Sequence, residues 1–369
     1  MNQTGHCIQF FNVKVKTMLT KWETLFVLVM TLPIMGHVVI LPLLLDIAGR
    51  DAWLSIIIAL PIGFVLAYFI FHIRKKFPEK NFNEWLTLLL GKWVAKIVVV
   101  ILIIYFLFLT VVSYSSLINL IYIGFLSATP RWALALWFLI FFVYAALKGV
   151  KRIALTAGIL TFIGMVTGHT VTLMDAVKKE WGYLLPVLEF GWTPVILGTL
   201  LLTNIWIELF LLLIIPIKHT ETKKCFWYWG AGVFLNALMM FSTTSGAITI
   251  FGLGQAENFL YPAFSITRII NLGFIDRFDI YSLILMVIGA YVRCSLYLRL
   301  SYDLSTQSYH AQWFKKLIFS FFTLSVFVAT IYIGKDFFRY EGLVKIYGYS
   351  FLLLPILFLL LIRARKVVP

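Results

Sequence analysis

Apolar runs of eighteen or more residues recur along the 369-residue chain, separated by short polar connections. Over such a length in hydrocarbon only a helix satisfies its own backbone groups, unless strands close into a barrel. Barrel strands alternate in polarity, and these runs do not. The pattern predicts an all-α membrane protein with ten transmembrane helices, over 22–45, 52–73, 94–122, 131–147, 153–174, 194–217, 227–252, 280–300, 314–333 and 346–362. They are expected to form a single permease-like domain, 22–369, behind a poorly ordered tail, 1–21, in which Met18 is a second candidate start. The first run has no small-residue cleavage site before or within it and is expected to stay as the first span. Two connections are long enough to hold structure. In 74–93 the positions Phe82, Trp85, Leu86 and Leu89 predict a short interfacial helix, and 253–279 is expected to hold a helix pair lying over the bundle.

Composition agrees with the pattern: 62% of residues are hydrophobic and 13% charged, outside the range of soluble domains. The net charge of +15 does not point to nucleic acid, because the Lys and Arg residues sit in the connections. Sorted by alternate connections they fall 21 against 9, with Arg293 left inside a span. The positive-inside rule makes the richer side cytoplasmic and places both termini there. Cys7, Cys225 and Cys294 have neither metal-site spacing nor an obvious pairing, and His72, His169 and His219 have no spaced partners. No metal or cofactor is expected. No nucleophile elbow, P-loop, dinucleotide fingerprint or zinc-peptidase motif is present, so no enzyme is expected.

The informative spans are the interrupted ones. Span 1 contains Pro33, Gly36, His37 and Pro42, which remove backbone donors and relax φ inside an apolar helix. Unwound backbone at membrane depth survives only where it is buried or lines a cavity. Span 6 runs the opposite way and carries Asn204, Glu208 and Pro216. Matching interruptions in two halves of opposite topology point to a midplane binding site, against the alternative of ordinary proline kinks.

Glu208 lies ten residues from Lys218, hence roughly 15 Å from the nearer membrane face. An ionisable group at that depth is costly unless paired, hydrated or neutralised, and marks a functional site by default. Arg293, six residues or roughly 9 Å from Arg299, is the one cation expected to be buried deep within a span. Either it pairs with Glu208 in a gating ion pair or it snorkels to the headgroups.

Span 3 carries Thr110, Ser113, Tyr114, Ser115, Ser116 and Asn119, which either line a cavity or bond neighbouring helices. His37 is read as a ligand donor or a satisfied structural group. Gly164 and Gly168 read as a close helix contact. The candidate ligand-binding residues are therefore Gly36, His37, Val38, Tyr114, Asn119, Asn204, Glu208 and Tyr291.

The string YPAFSITRIINLGFIDRFD at 261–279, followed by VIGAYVRCSLYL, resembles the B subunits of endospore germinant receptors, the spore germination permease family. GHVVILP with AGRDAWLS, FPEKNFNEWLTLLLGKW, LLPVLEFGWTPVILG and IELFLLLIIP extend the resemblance over essentially the whole chain. One departure is Ile207, where the family has Gly before the acid; another is YDLSTQSYH after span 8.

The resemblance implies the fold of amino-acid permeases of the amino acid–polyamine–organocation superfamily. Two inverted five-helix repeats, about 22–174 and 194–362, would then enclose a small-molecule site. It further implies sensing of a small-molecule germinant, an amino acid before a nucleoside or sugar, in the spore inner membrane, together with receptor A and C subunits. The competing function is a proton-coupled amino-acid transporter in which Glu208 carries the coupling proton.

Overall fold

The computed structural model describes residues 18–78, 80–270, 278–307 and 311–367. Most of the expected tail, with Cys7, and residues 271–277 of the long connection lie outside the described residues. Among the described residues ten helical segments are long and apolar enough to cross a membrane, the number the sequence predicts. Among the described residues there is no strand, only an isolated parallel bridge between Leu19 and Ile217.

The chain opens with α1 (Lys21–Thr31), a π turn (Ile34–Val39) and α2 (Leu41–Ala48), then turns through a 3-10 corner into α3 (Ala52–Lys76). The short α4 (Phe82–Leu90) precedes α5 (Lys92–Gly124), α6 (Arg131–Lys148) and α7 (Val150–Asp175). Span 6 consists of α8 (Trp192–Ile207), a 3-10 turn (Glu208–Phe210) and α9 (Leu211–Ile214). After α10 (His219–Thr222) come α11 (Cys225–Phe251), α12 (Leu253–Ala256) and α13 (Pro262–Arg268), the last two forming the expected pair of short helices. The chain continues with α14 (Asp279–Thr306), α15 (Gln312–Gly334), α16 (Phe337–Tyr347), a 3-10 turn (Ser350–Leu353) and α17 (Leu354–Val367).

Local chemistry fixes several ends. Thr20 and Glu23 form a reciprocal capping box at α1, and Asn81 and Glu84 form another at α4. Gly149, at φ +89°, lets α6 turn directly into α7, a conformation costly for any residue with a Cβ.

Hydrogen bonds sort the connections onto two ends of the bundle. At the lysine-rich end the Lys21 amide donates to Glu221, Lys151 Nζ to Glu23, Lys76 Nζ to the Ala364 carbonyl and Arg299 to the Ala146 carbonyl. At the other end Arg50 donates to the Leu185 carbonyl, Arg131 to Asn119, and the Glu180 amide to the Thr249 carbonyl. The start of α1 and the end of α17 therefore share the lysine-rich end.

Three details differ from the sequence reading. The apolar face of α4 does not lie open to an interface: Phe82, Trp85, Leu86 and Leu89 are buried, with Phe77 stacked on Trp85 at 5.6 Å, and α4 packs against α5 and α17. The last span begins at Phe337 instead of 346, because Tyr340, Val344 and Tyr347 turn one face of a polar-looking helix inward. Of the two glycines read as a helix contact, Gly164 does face α14, with a built Cβ 3.5 Å from Ile288 Cδ1, whereas nothing lies within 4 Å of a Cβ built on Gly168, and both line a cavity.

Candidate functional site

Span 1 breaks where proline withdraws an amide and glycine loosens the turn. Beyond Thr31 the ladder loosens into the π turn, with the Ile40 amide bonding the Met35 carbonyl five residues back. The Thr31 carbonyl is taken by a side chain from another helix: Arg293 NH1 of α14 donates to it at 2.6 Å. A buried carbonyl at a helix break needs such a partner.

The same guanidinium meets Glu208 in a bidentate pair, NH1 to Oε2 at 2.5 Å and NH2 to Oε1 at 2.8 Å, while its Nε donates to Ser113 Oγ at 2.6 Å. Tyr297 donates to Oε2 at 2.6 Å and Tyr347 to Oε1 at 2.9 Å. A carboxylate offers about four lone-pair sites, and four donors occupy those of Glu208. Glu208, Arg293, Ser113, Thr31, Tyr297 and Tyr347 are all fully buried. The cluster ties α1, α5, α8, α14 and α16 together at the centre of the bundle. The guanidinium also sits 4.9 Å from the Tyr297 ring centroid, a cation–π contact in a site without solvent. Two charges removed from water in this way cost several kcal/mol each, which only complete pairing offsets.

Glu208 is placed by a tightening of span 6, not by its unwinding. Ile207 keeps helical dihedrals, φ −66° and ψ −29°, and the Glu208 amide bonds both the Ile205 and Trp206 carbonyls as α8 passes into the 3-10 turn. The extended residue comes later, at Ile215, with ψ 138°. There Arg74 takes up the freed carbonyls, donating to Leu213 at 3.2 Å and Ile215 at 3.0 Å. Ile207, with its Cβ, keeps the helical geometry that a glycine would relax.

Beside this sealed cluster a cavity of about 370 Å³ lies between span 1, α7, α11, α13 and α14. It reaches from Val29 and Gly289, near mid-depth, to Asp175 and Thr267 at the end opposite the lysine-rich one. His37 and Val38 of the π turn form part of its wall, and His37 Nδ1 is buried with no hydrogen-bond partner. Met30, Pro33 and Ile34 line the cavity as well, so its wall flanks the residue whose carbonyl Arg293 holds.

Comparison with known proteins decides the family. The family model described as "Spore germination protein" matches residues 18–337. The chain belongs to the spore germination permease family. It is 30% identical to Spore germination protein XB of Bacillus anthracis over 281 residues, covering 76% of this chain and 78% of that protein. Spore germination protein A2 of Bacillus subtilis (strain 168) is 23% identical over 70% of this chain and 73% of its own length. Spore germination protein KB of the same organism is 22% identical over 69% of each. The chain is a multi-pass membrane protein related to germinant-receptor B subunits.

The residues singled out in the sequence do not gather in one place in this germination permease. His37 and Val38 line the cavity, and Glu208 and Arg293 form the sealed pair. Gly36 is buried against α8 and α11, where an added Cβ would lie 2.2 Å from Met240 Sδ and 3.3 Å from Ile205 Cδ1. Tyr114 turns to α6 and donates to the Ala135 carbonyl. Asn119 accepts from Arg131 at 2.8 Å, at the bundle end. Asn204 donates to the Gly348 carbonyl at 2.9 Å, holding α8 to the bend after α16. Tyr291 is half-buried and lines neither the cavity nor the cluster.

Sequence reasoning missed Tyr297, Tyr347 and the Thr31 carbonyl. Tyr297 carried a usable signal, standing four residues after Arg293 and hence on the same helix face. Tyr347 carried none, since α16 does not stand out in hydropathy. Cys225 and Cys294 are both buried free thiols. Among the described residues no three His, Cys, Asp or Glu side chains are placed to hold a metal ion.

Proposed function

We propose that this chain is the nutrient-sensing B subunit of a spore germinant receptor. It takes up an amino acid in the cavity beside the first-span break and passes the change to partner A and C subunits. The observation that carries this reading is the position of Arg293, which bonds the Thr31 carbonyl at the break and the Glu208 carboxylate at the same time. A ligand pressing on His37, Val38 and Ile34 strains a π turn that adjoins that carbonyl. Any movement of Thr31 then pulls on the only buried ion pair at the centre of the described residues.

Glu208 and Arg293 act in this account as the switch, and the wall at Ile34, His37 and Val38 as the receiver. Loose backbone at a broken helix is the feature that lets a ligand's charged groups find partners. The two interruptions, five spans apart, also support an arrangement as inverted halves, 22–174 and 194–362. The charge asymmetry supports cytoplasmic termini, in the spore inner membrane or the cell membrane.

Proton-coupled transport through Glu208 fits the geometry less well, because a proton on that carboxylate must displace one of four donors. Direct binding of L-amino acids to the purified chain in lipid nanodiscs, with proteoliposome uptake alongside, tests the reading. Binding without accumulation is expected; robust accumulation by the chain alone makes it a carrier.

A further inference from the structure

A second cavity, of about 300 Å³, opens at the lysine-rich end, where the last turn of α3, the start of α4, the exit of span 6, the end of α14 and the first turn of α15 meet. Its wall carries three cations, Arg74, Lys80 and Lys315, against one acid, Asp303. That acid is already matched, since Arg299 Nε lies 2.9 and 3.0 Å from its two oxygens. Among the described residues the ammonium groups of Lys80 and Lys315 have no ion pair and no hydrogen bond. Arg74 is only 5% exposed, and it uses two of its five N–H donors on the Leu213 and Ile215 carbonyls. Its other three have no partner among the described residues.

We infer that this second cavity is an anion site for a phosphate group, carried by a small soluble compound or by an anionic lipid head group. A buried guanidinium with spare donors is costly to leave without a matching charge. A phosphate brings up to two negative charges and three acceptor oxygens. A planar guanidinium and two ammonium groups complement that set, the first by its paired donors and the others as point charges. Basic pockets between membrane helices are a recurring seat of phosphate head groups. The volume lies at the small end of ligand pockets, enough for a phosphate with a short substituent.

The site bears directly on span 6. Ile215 is extended and Pro216 offers no amide, so the carbonyls that Arg74 holds lack helical partners. Leu19, next to Met18 of the cavity wall, stitches the same stretch to the start of span 1. Its amide donates to the Pro216 carbonyl at 2.8 Å, and its carbonyl accepts from the Lys218 amide at 2.9 Å. A phosphate on Arg74 fixes the side chain that holds this junction, so the anion braces the ends of spans 1 and 6 on the lysine-rich side. The two cavities share no lining residue, and the anion site therefore stands whether or not the first cavity takes a nutrient.

The test follows thermal unfolding of the full chain in nanodiscs, since a ligand of the folded state alone raises the unfolding temperature in a saturable way. One arm titrates inorganic phosphate and then glycerol 3-phosphate into phosphatidylcholine discs, with sodium chloride at matched ionic strength as the control. The other arm replaces part of the phosphatidylcholine with phosphatidylglycerol. Saturable stabilisation beyond the chloride control is expected in at least one arm: in the first it assigns a soluble ligand, in the second a lipid head group. The double variant Lys80→Gln with Lys315→Gln removes two side chains that make no bond in the folded chain, and leaves Arg74 to brace span 6. It is expected to weaken the apparent affinity for phosphate at least about tenfold, or to abolish the gain from phosphatidylglycerol. Lys223→Gln with Lys224→Gln, the same loss of charge outside the cavity, is expected to leave both unchanged. Stabilisation that chloride matches and phosphatidylglycerol does not supply overturns the site. So does stabilisation that survives in the cavity variant or falls equally in the outside one.

Discussion

Arg293 and Thr31 are joined by a 2.6 Å hydrogen bond that runs from the middle of α14 to the last turn of α1 before its break. The guanidinium making that bond is also the partner of Glu208, so the irregular backbone of one span and the buried acid of another share a single cation. Thr31 belongs to the stretch that leads into the cavity wall, and Glu208 to the helix end that Tyr297 and Tyr347 enclose. In the proposed sensor a displacement at either end is passed to the other through this cation.

Breaking the pair from one side should be far worse than removing it whole. Glu208→Gln or Arg293→Met is expected to cost about 3–5 kcal/mol, because each strands a buried charge. The double variant Glu208→Leu with Arg293→Met should recover much of that loss. Thermal unfolding of the four proteins in one detergent checks it; equal destabilisation of singles and double contradicts the pairing.

Tyr347→Phe removes one donor from the carboxylate without changing shape. A bond to a charged group is worth about 1.5–3 kcal/mol, and Tyr297→Phe should cost a similar amount. Because both donate to Glu208, the double substitution should deviate from the sum of the singles, which a thermodynamic cycle on melting data reads directly.

Gly36 tolerates no side chain unless Met240 withdraws, since a Cβ would lie 2.2 Å from Met240 Sδ and 2.6 Å from its Cγ. Gly36→Ala is expected to destabilise by about 1–3 kcal/mol, the usual cost of overpacking. Met240→Ala in the same chain should relieve most of it. A Gly36→Ala protein as stable as the unaltered one would place this contact elsewhere.

The start of α1 and the end of α17 share the lysine-rich end, which the proposed topology turns toward the cytoplasm. Single cysteines at Lys92 and Lys366, in a chain lacking its native cysteines, should resist an impermeant maleimide in right-side-out vesicles. A cysteine at Glu257 should react. The reverse pattern inverts the topology.

The ten spans were legible because apolar length alone decides them, and Glu208 and Arg293 because a charge at membrane depth stands out against any background. Depth counted from Lys218 and Arg299 put their meeting within reach, with snorkelling of Arg293 as the alternative. Helix rotation was not legible. Tyr114, Asn119, Asn204 and Tyr291 share the chemistry of binding residues, yet each turns to a backbone carbonyl, a surface arginine or neither site, as packing between distant helices dictates. The pair Gly164 and Gly168 looked like one packing stripe for the same reason: small residues let a neighbour approach, as α14 does at Gly164, or leave a void when none does, as at Gly168. Tyr347 escaped because its helix hides three inward residues among charged ones, a pattern that hydropathy averages away.

In the proposed sensor the nutrient cavity and the buried ion pair move together through the Thr31 carbonyl. Hydrogen–deuterium exchange of the full chain in nanodiscs, with and without saturating L-leucine, measures this directly. The account predicts altered protection in two separated stretches at once, residues 31–40 around the break and 289–297 around Arg293. Leucine binding that alters one stretch and leaves the other unchanged would contradict it.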